Sequence, residues 1–271
     1  MGMRKIRLDM LLVERGMAGS RSLAQRLVMA GQVRVNGQVE LRASARLLTD
    51  VHLEVEAGPR FVSRGGEKLT AALQAFNLDV QGCVCADVGA STGGFTDCLL
   101  QHGASKVYAI DVGHGILDWK LRQDERVVVL EKTNVRYLEK LPEPVNVITM
   151  DVSFISLKVI LPVVKSWFTA PPNPLAEPKG SVVCLIKPQF EAGRHETRRG
   201  KGVIRDPLVH RQVLLDVLAF ASQQGYAVRG LVRSPLLGPK GNTEFLAWLE
   251  YHGVPGTEIE GLVDQLLPDV N

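Results

Sequence analysis

Cysteine is scarce in this sequence, which has only four among its 271 residues. Cys83, Cys85, Cys98 and Cys184 fall in apolar segments and form neither a Cys-x-x-Cys pair nor a cluster with histidine. That spacing supplies no metal ligand set, so we expect no bound metal. Free, buried thiols are typical of proteins in the reducing cytoplasm.

Long hydrophobic runs are also absent. The longest apolar stretch, near residues 157–164, is interrupted by Lys158 and Pro162 and is shorter than the roughly 20 residues that a membrane helix needs. The basic N-terminus is followed by Asp9 and Glu14 rather than by an apolar core, which argues against a signal peptide. The sequence therefore predicts a cytoplasmic protein with no membrane partner.

Acidic residues are few at the start of the chain, although the whole sequence has a formal net charge of only +3. Residues 1–48 hold nine Arg or Lys against Asp9, Glu14 and Glu40, a charge of +6 that leaves −3 for the rest. Concentrated positive charge on a small module is expected of a protein that binds the phosphate backbone of nucleic acid. A solvated basic face is the alternative interpretation.

The basic segment has the pattern of a small α+β domain. Residues 8–15 predict one helix, and a second helix begins at Ser20 or Ser22 and stops at Gly31. Residues 32–39 then alternate apolar and polar around an Asn-Gly pair, which is the strongest short signal for a β-hairpin.

Three motifs in this segment, R-L-D-x-L-L, S-R-S-x-A-x-x-L and G-x-V-x-V-N-G, resemble the S-four-like RNA-binding domain of ribosomal proteins, pseudouridine synthases and tyrosyl-tRNA synthetases. The resemblance covers about 50 residues and implies that the second helix and its adjoining loops face RNA. We expect this domain to span residues 1–58. Its predicted RNA contacts are Arg4, Arg7, Arg21, Arg26 and Arg34.

After a linker at residues 59–64, strand-like and helix-like segments alternate through residues 65–271. Such alternation predicts a Rossmann-like α/β fold, a seven-stranded and mostly parallel sheet with helices on both faces. The expected strands are residues 83–88, 106–111, 127–131, 145–150, 181–187, 227–233 and 244–251. The clearest expected helices are residues 94–102, 155–167 and 207–224.

The first of these strands runs into a glycine-rich turn, D-V-G-A-S-T-G-G-F-T, followed at once by a helix. Glycine lets the backbone approach a ligand across the strand ends, and the helix N-terminus offers free amides. Asp111 ends the next strand, 24 residues after Asp87, where a carboxylate accepts both ribose hydroxyls of a nucleoside. A nucleoside cofactor is therefore predicted, with a purely structural turn as the alternative.

The loop differs from the NAD pattern G-x-G-x-x-G because Ser91 stands at the second glycine, and no P-loop is present. Its D-V-G-x-x-x-G-G-F-T form resembles the S-adenosylmethionine loop of FtsJ-like methyltransferases. The expected cofactor contacts are Asp87, Gly89, Ala90, Ser91, Gly93, Gly94, Phe95, Asp111, Val112, Asn134 and Asp151.

Four ionisable residues stand where this fold would bring them to the mouth of the sheet, namely Lys68, Asp151, Lys187 and Glu244. Asp151 and Lys187 end apolar strands, and ligands bind at the carboxyl ends of strands in open α/β sheets. Glu244 begins the last strand and reaches the same edge if that strand runs antiparallel. Taken singly, each residue also fits an ordinary surface charge.

Methyl transfer to a ribose hydroxyl needs such a set because the hydroxyl is a weak nucleophile until a base begins to take its proton. An ordinary lysine is protonated at neutral pH, and burial near a second cation favours its neutral form. We assign Lys187 to the target hydroxyl with Asp151 beside it, and Lys68 and Glu244 as positioning and charge-balancing partners.

The K-D-K-E order, within S-R-G-G-x-K-L, M-D-V-S-F-I-S-L and I-K-P-Q-F-E, resembles the TlyA family over nearly the whole chain. These proteins fuse an S-four-like domain to an FtsJ-like ribose 2′-O-methyltransferase and are also called haemolysins. The resemblance implies S-adenosylmethionine as cofactor and cytidine in ribosomal RNA, of the small subunit, the large subunit or both, as substrate.

A basic stretch follows Lys187, and we interpret it as an RNA clamp, with a solvated loop as the alternative. Its predicted RNA contacts are Arg194, Arg198, Arg199 and Lys201. We also predict an RNA contact at Arg64, elsewhere in the sequence. Ribosomal RNA or a ribosomal subunit is the expected partner, and the oligomeric state stays open between monomer and homodimer.

Three other functions compete with this interpretation. A membrane-lysing haemolysin requires a secretion signal and a membrane-competent segment, neither of which the sequence indicates. A noncatalytic RNA-binding protein that senses S-adenosylmethionine would share the same motifs. An NAD dehydrogenase is disfavoured because no acid and base pair for hydride transfer stands out.

Overall fold

A computed structural model describes residues 4–56, 58–168, 180–193, 202–252 and 258–268 of the chain. Contacts divide the chain into two compact units, residues 1–60 and 61–271, and the division falls within the expected linker at residues 59–64. No helix of the described residues is long and apolar enough to cross a membrane.

The first unit combines two helices with short antiparallel strands. The helices are α1 (Leu8–Glu14) and α2 (Arg21–Met29), and the strands are β1 (Lys5–Arg7), β2 (Val33–Val35), β3 (Gln38–Val39), β4 (Arg46–Leu48) and β5 (Leu53–Val55). β1 pairs with β4, while β2 lies between β3 and β5. Its small core is formed by apolar side chains from both helices and from β2, among them Leu8, Leu12, Ala24, Val28 and Val33.

The ends of these helices follow the sequence signals. Ser20, one of the two expected capping serines, accepts a hydrogen bond from the amide of Leu23 at 3.2 Å. Gly31 has a φ of 72°, the left-handed conformation that ends a helix most easily when no side chain is present. Asn36 and Gly37 also have positive φ, as a two-residue hairpin requires.

The second unit is built on a seven-stranded sheet in the order β11-β12-β10-β9-β6-β7-β8. Its strands are β6 (Val84–Val88), β7 (Lys106–Ile110), β8 (Val127–Leu130), β9 (Val147–Met150), β10 (Gly180–Ile186), β11 (Tyr226–Arg233) and β12 (Phe245–Tyr251). The five strands from β10 to β8 are parallel, whereas β12 runs antiparallel to both of its neighbours. The predicted Rossmann-like fold, with a mostly parallel sheet, is confirmed.

Helices cover both faces of this sheet. They are α3 (Gly65–Phe76), α4 (Gly94–Gln101), α5 (Trp119–Arg122), α6 (Leu157–Val164), α7 (Pro188–Glu191), α8 (Pro207–Gln223) and α9 (Ile259–Leu266), with 3₁₀ turns at Val135–Tyr137, Lys165–Trp167 and Pro239–Gly241. The expected helices correspond to α4, to α6 with the turn after it, and to α8. The periodicity did not single out α3, α5, α7 or α9.

Two apolar layers enclose the sheet because neighbouring residues of a strand point to opposite faces. Ile148 and Val182 belong to one layer, while Val147 and Val183, their neighbours in sequence, belong to the other. All four are almost completely buried. The central strands are therefore apolar on both sides, which explains why they appear in the sequence as continuous hydrophobic runs.

The N-termini of α3 and α4 pack so closely that glycine is needed at Gly94. A Cβ atom there would lie 2.2 Å from the Ser63 hydroxyl and 3.0 Å from the Gly66 amide nitrogen. We expect Gly94→Ala to lower the free energy of unfolding by about 1–3 kcal/mol. Gly261→Ala is the control because nothing lies within 4 Å of a Cβ in that helical position. It should raise stability by about 0.4–1 kcal/mol.

Urea titration followed by circular dichroism measures both free energies of unfolding. Equal stability of Gly94→Ala and the wild type would contradict the packing of α3 against α4 described above.

Candidate active site

Two adjoining cavities lie at the edge of the sheet where the parallel strands have their carboxyl ends. The lysine cavity, of about 300 Å³, is lined among others by Lys68 and Lys187. The Asp111 cavity, of about 490 Å³, is lined by Asp111, Val112 and neighbouring loops. Gly89, Ser91, Asp151 and Ser153 line both, so the two cavities share one wall.

The structure brings all four predicted ionisable residues to the lysine cavity. Lys187 Nζ lies 2.5 Å from Asp151 Oδ1 and 3.0 Å from Ser153 Oγ. Lys68 Nζ lies 2.6 Å from Glu244 Oε2. The two lysines are each only 8% exposed and Glu244 is 1% exposed, whereas the Asp151 side chain is 24% exposed.

Four different elements supply these side chains. Asp151 follows β9 and Lys187 follows β10, while Lys68 lies in the first turn of α3. Glu244 directly precedes β12, whose antiparallel direction brings its start to the edge where β10 ends, with Phe245 opposite Ile186. The sequence analysis placed Glu244 at this edge on condition that its strand runs antiparallel, and the observed strand does.

Asp111 fixes two loops at the mouth of the larger cavity. Its Oδ2 atom accepts a hydrogen bond from the amide of Ser91 at 2.8 Å, and its Oδ1 atom accepts one from the amide of Gly113 at 2.7 Å. Each carboxylate oxygen has two lone pairs, so acceptor capacity is left for hydroxyl groups of a ligand. Ser91 has a φ of 51°, a conformation that this hydrogen bond helps to hold.

Glycine is required in the loop at two positions for steric reasons. Gly89 has a φ of 83°, and a Cβ there would lie 2.7 Å from the backbone oxygen of Asp151. Gly93 has a φ of 96°, and a Cβ there would lie 2.1 Å from Leu121 Cδ1. Close backbone approach at Gly89 brings the loop against the end of β9 and forms the shared wall.

Most of the expected cofactor contacts line the cavities, but two do not. The residues that line one or both are Gly89, Ala90, Ser91, Gly94, Phe95, Asp111, Val112, Asn134 and Asp151. Gly93 is instead packed against Leu121. Asn134 lines the Asp111 cavity and at the same time caps a 3₁₀ turn, because its Oδ1 accepts the amide of Arg136 at 3.1 Å.

Asp87 is the second exception, because its carboxyl group lies beneath the loop rather than on a cavity wall. It is completely buried and accepts hydrogen bonds from Thr96 Oγ1 at 2.7 Å and Thr149 Oγ1 at 3.1 Å. Burial raises the pKa of Asp87 to about 7, and these hydroxyl groups offset part of that rise. The side chain therefore joins β6, β9 and α4 beneath the glycine-rich turn at residues 87–96.

Sequence reasoning missed an aromatic residue at the rim. Phe154 lines the Asp111 cavity, is 90% exposed and has a φ of 64°. Its ring packs against Phe190, with the ring centroids 4.9 Å apart. The signal was available, because Phe154 lies in the same M-D-V-S-F-I-S-L motif that supplies Asp151.

A carboxylate holds this rim in place. Glu191 accepts hydrogen bonds from Ser156 Oγ at 2.6 Å and from the amide of Leu157 at 2.7 Å, at the start of α6. Burial raises the pKa of Glu191 above its ordinary value. Together with the contact between Lys187 and Asp151, this fastens residues 187–191 to residues 151–157.

The predicted RNA contacts are distributed over both units. Arg4, Arg21 and Arg26 are exposed on the first unit, and Arg7 and Arg34 are half-buried there. Arg34 forms an ion pair with Glu56. Arg64 is exposed and lines the lysine cavity. Arg194, Arg198, Arg199 and Lys201 lie outside the described residues.

Asp87 generates a pH dependence of stability. Its folded-state pKa of about 7 exceeds the ordinary value of 3.8, so the folded protein keeps a proton that the unfolded chain releases. The stabilisation from that proton is complete below about pH 4 and is lost as the pH rises through 7. Because one pKa unit corresponds to 1.36 kcal/mol, the loss approaches about 4 kcal/mol.

We expect Asp87→Asn, which has no proton to lose, to gain stability relative to the wild type between pH 4 and pH 8. Urea titrations across this range give the difference in free energy of unfolding. Asp79→Asn, which removes an exposed carboxylate from the same unit, is the control for the loss of one carboxylate. A difference for Asp87→Asn that stays constant across this pH range would contradict the prediction.

Comparisons with known proteins agree with this geometry. Residues 61–251 match the family of FtsJ-like methyltransferases, and residues 6–51 match the S4 domain. A protein of Bacillus subtilis named as an rRNA methyltransferase, YqxC, is 46% identical over 98% of this chain and 91% of its own. The 16S/23S rRNA (cytidine-2′-O)-methyltransferase TlyA of Mycobacterium tuberculosis is 41% identical over 96% of each chain.

A solved structure from Streptococcus thermophilus, named as a hemolysin, is also similar. It has a TM-score of 0.72 and 41% identity, covering 99% of this chain and 96% of its own. The two domain matches and these full-length similarities agree with the motifs around the two buried ion pairs. The chain therefore belongs to the TlyA family, in which an S4 domain precedes an FtsJ-like methyltransferase domain.

Proposed function

We propose that this chain transfers a methyl group from S-adenosylmethionine to the ribose 2′-hydroxyl of a cytidine in ribosomal RNA. The observation that carries the proposal is the pair of buried lysine–carboxylate contacts, Lys187 with Asp151 and Lys68 with Glu244, in a cavity that shares a wall with a second cavity. The relative from Mycobacterium tuberculosis is named for this reaction on rRNA cytidine.

The Asp111 cavity fits the nucleoside part of the cofactor. Asp111 has acceptor capacity for two ribose hydroxyls, Val112 and Ile155 offer apolar surface to an adenine ring, and Asn134 has an amide group at the wall. The backbone around Gly89 and Ser91 leads from there to the lysine cavity. S-adenosylmethionine bound in this way supplies an electrophilic methyl group.

The lysine cavity would hold the reacting hydroxyl. Asp151 and Ser153 fix Lys187 Nζ between them, so the lysine can hydrogen-bond the hydroxyl in one orientation. As the oxygen forms its bond to the methyl carbon and the bond from that carbon to the cofactor sulfur breaks, the hydroxyl proton would pass to Lys187 acting as a neutral amine. Lys68 and Glu244 close the opposite side and keep the local charge balanced.

Basic residues on each of the two units would bind the RNA chain. The first 48 residues carry a charge of +6, and Arg64 stands at the lysine cavity itself. Arginine binds phosphate with two parallel hydrogen bonds, which favours it over lysine for positioning a nucleic acid backbone. The stretch with Arg194, Arg198, Arg199 and Lys201 adds positive charge next to Lys187 in sequence.

Incubation with methyl-labelled S-adenosylmethionine and separated, undermethylated ribosomal subunits tests the reaction. We expect the wild type to label ribosomal RNA, and nuclease mapping to locate the label on a cytidine ribose. Lys187→Ala should slow the transfer by about 10²–10⁴-fold, the usual contribution of a proton-transfer group. Lys120→Ala, at an exposed lysine of α5, should keep full activity.

The outcomes separate the proposal from its competitors. RNA that stays unlabelled in every fraction would rule out the methyltransferase function. If Lys187→Ala transferred the label at the wild-type rate, the proposed role of this lysine would be rejected. A noncatalytic, cofactor-sensing protein would bind S-adenosylmethionine and RNA equally well with or without Lys187.

Phe154 offers an exposed aromatic face at the rim of the Asp111 cavity, next in sequence to Ser153, which lines both cavities, and we propose that the target nucleobase stacks on it. Such stacking contributes about 1–3 kcal/mol per base, and Phe190 supports the ring from behind. We expect Phe154→Ala to lower kcat/KM for RNA by about 5- to 150-fold, whereas Phe154→Tyr keeps most of the activity.

The affinity for S-adenosylmethionine, measured by calorimetry, is the second readout because Phe154 also lines the Asp111 cavity. Loss of cofactor affinity with an unchanged KM for RNA would assign the ring to the cofactor instead of the base.

A further inference from the structure

A buried carboxylate organises two arginines in the first unit. Asp9 is completely buried at the start of α1. It accepts hydrogen bonds from Arg7 Nε at 3.0 Å and from a terminal nitrogen of Arg7 at 2.9 Å. Arg21 Nε donates to it at 3.0 Å and Gln25 Nε2 at 2.8 Å. One acidic side chain thus receives four hydrogen bonds from three partners.

The partners of Asp9 keep it ionised. A buried carboxylate is costly unless it is paired and hydrogen-bonded, and here the partners include two guanidinium groups. The hydrogen bonds from Arg7 hold the pKa of Asp9 well below its ordinary value, and Gln25 and Arg21 contribute in the same direction. The cluster of one carboxylate and two guanidinium groups therefore keeps a net charge of +1.

The arginines keep their outer edges available. Asp9 engages Arg21 through Nε, no hydrogen bond within the described residues occupies the terminal nitrogens of Arg21, and its side chain is 57% exposed. The Arg7 side chain is 35% exposed. One nitrogen of each arginine donates to the same oxygen, Asp9 Oδ2, at 2.9 and 3.0 Å, so the two guanidinium groups lie side by side. A phosphate group has several acceptor oxygens and can bind two neighbouring guanidinium groups at once.

We propose that Asp9 is a positioning residue that holds Arg7 and Arg21 as one phosphodiester-binding site for RNA. The inference rests on the proposed function, because it takes RNA as the ligand of the first unit. Guanidinium groups that are already fixed lose less conformational entropy on binding. An acidic residue thereby strengthens the binding of a polyanion.

For Asp9→Asn, electrostatics alone and this proposal predict opposite changes in RNA affinity. Removing one negative charge from a basic unit should strengthen RNA binding if charge alone matters. If Asp9 positions the arginines, the affinity should fall about 5- to 50-fold, and the salt dependence should weaken by about one phosphate contact. Fluorescence anisotropy with a labelled RNA stem-loop, at several KCl concentrations and with the full chain, measures both quantities.

Glu14→Gln is the matched control. Glu14 lies on the same helix and is exposed, so the change in charge is identical while Asp9, Arg7 and Arg21 are untouched. Its RNA affinity should equal or slightly exceed that of the wild type. Asp9→Asn binding as tightly as Glu14→Gln would overturn the proposal.

A mutant cycle separates positioning from a loss of folding. In an Arg7→Gln, Arg21→Gln background, Asp9→Asn should cause no further loss of RNA affinity, because no arginine is left to position. An additional loss of similar size in that background would show that Asp9→Asn acts by unfolding the unit. Thermal unfolding of each variant identifies that case directly.

The experiment also distinguishes failure of this inference from failure of the proposed function. If the wild type methylates no ribosomal RNA, the difference in stem-loop affinity between Asp9→Asn and Glu14→Gln still decides the role of Asp9. If methyl transfer occurs and that difference is absent, the site fails while the function stands. Cofactor affinity, measured by calorimetry, should be the same in all of these variants.

Discussion

The candidate active site depends on the reversed direction of one strand. Because β12 runs antiparallel to β10, Glu244 at its start meets Lys187 at the end of β10 on one edge of the sheet. A parallel β12 would carry Glu244 to the opposite edge and leave Lys68 without its carboxylate partner. The 2.6 Å contact between Lys68 and Glu244 then ties α3, the first helix of the second unit, to the last strand of the sheet.

Two buried aspartates show how partners decide the state of the same side chain. Asp9 and Asp87 are both completely buried. Arginine partners hold the pKa of Asp9 below its ordinary value, whereas Asp87 has threonine hydroxyls as partners and its pKa rises to about 7. Asp9 therefore stays ionised in its ion pairs with two arginines, whereas Asp87 links neighbouring elements by hydrogen bonds beneath the glycine-rich turn.

The strands could be predicted from the sequence because hydrophobic runs are local signals. Each predicted strand begins and ends within two residues of the observed strand. Local motifs likewise single out Lys68, Asp151, Lys187 and Glu244. The direction of a side chain is not a local property. Thr96 and Thr149, which turn the carboxyl group of Asp87 into the core, lie 9 and 62 residues away. The positive φ of Phe154 could not be predicted either, because nothing in the sequence marks a non-glycine residue that adopts this conformation.

The two motifs around Lys187 and Asp151 work as one rigid assembly. Lys187 contacts Asp151, Phe190 packs on Phe154, and Glu191 receives hydrogen bonds from the start of α6, so successive residues of one segment bind successive residues of the other. Asp151 and Ser153 line both cavities. A shift of Lys187 relative to the Asp111 cavity would therefore have to break an ion pair, a ring contact and a helix cap together. The fold thus fixes Lys187 relative to the wall that the two cavities share more firmly than any single contact could.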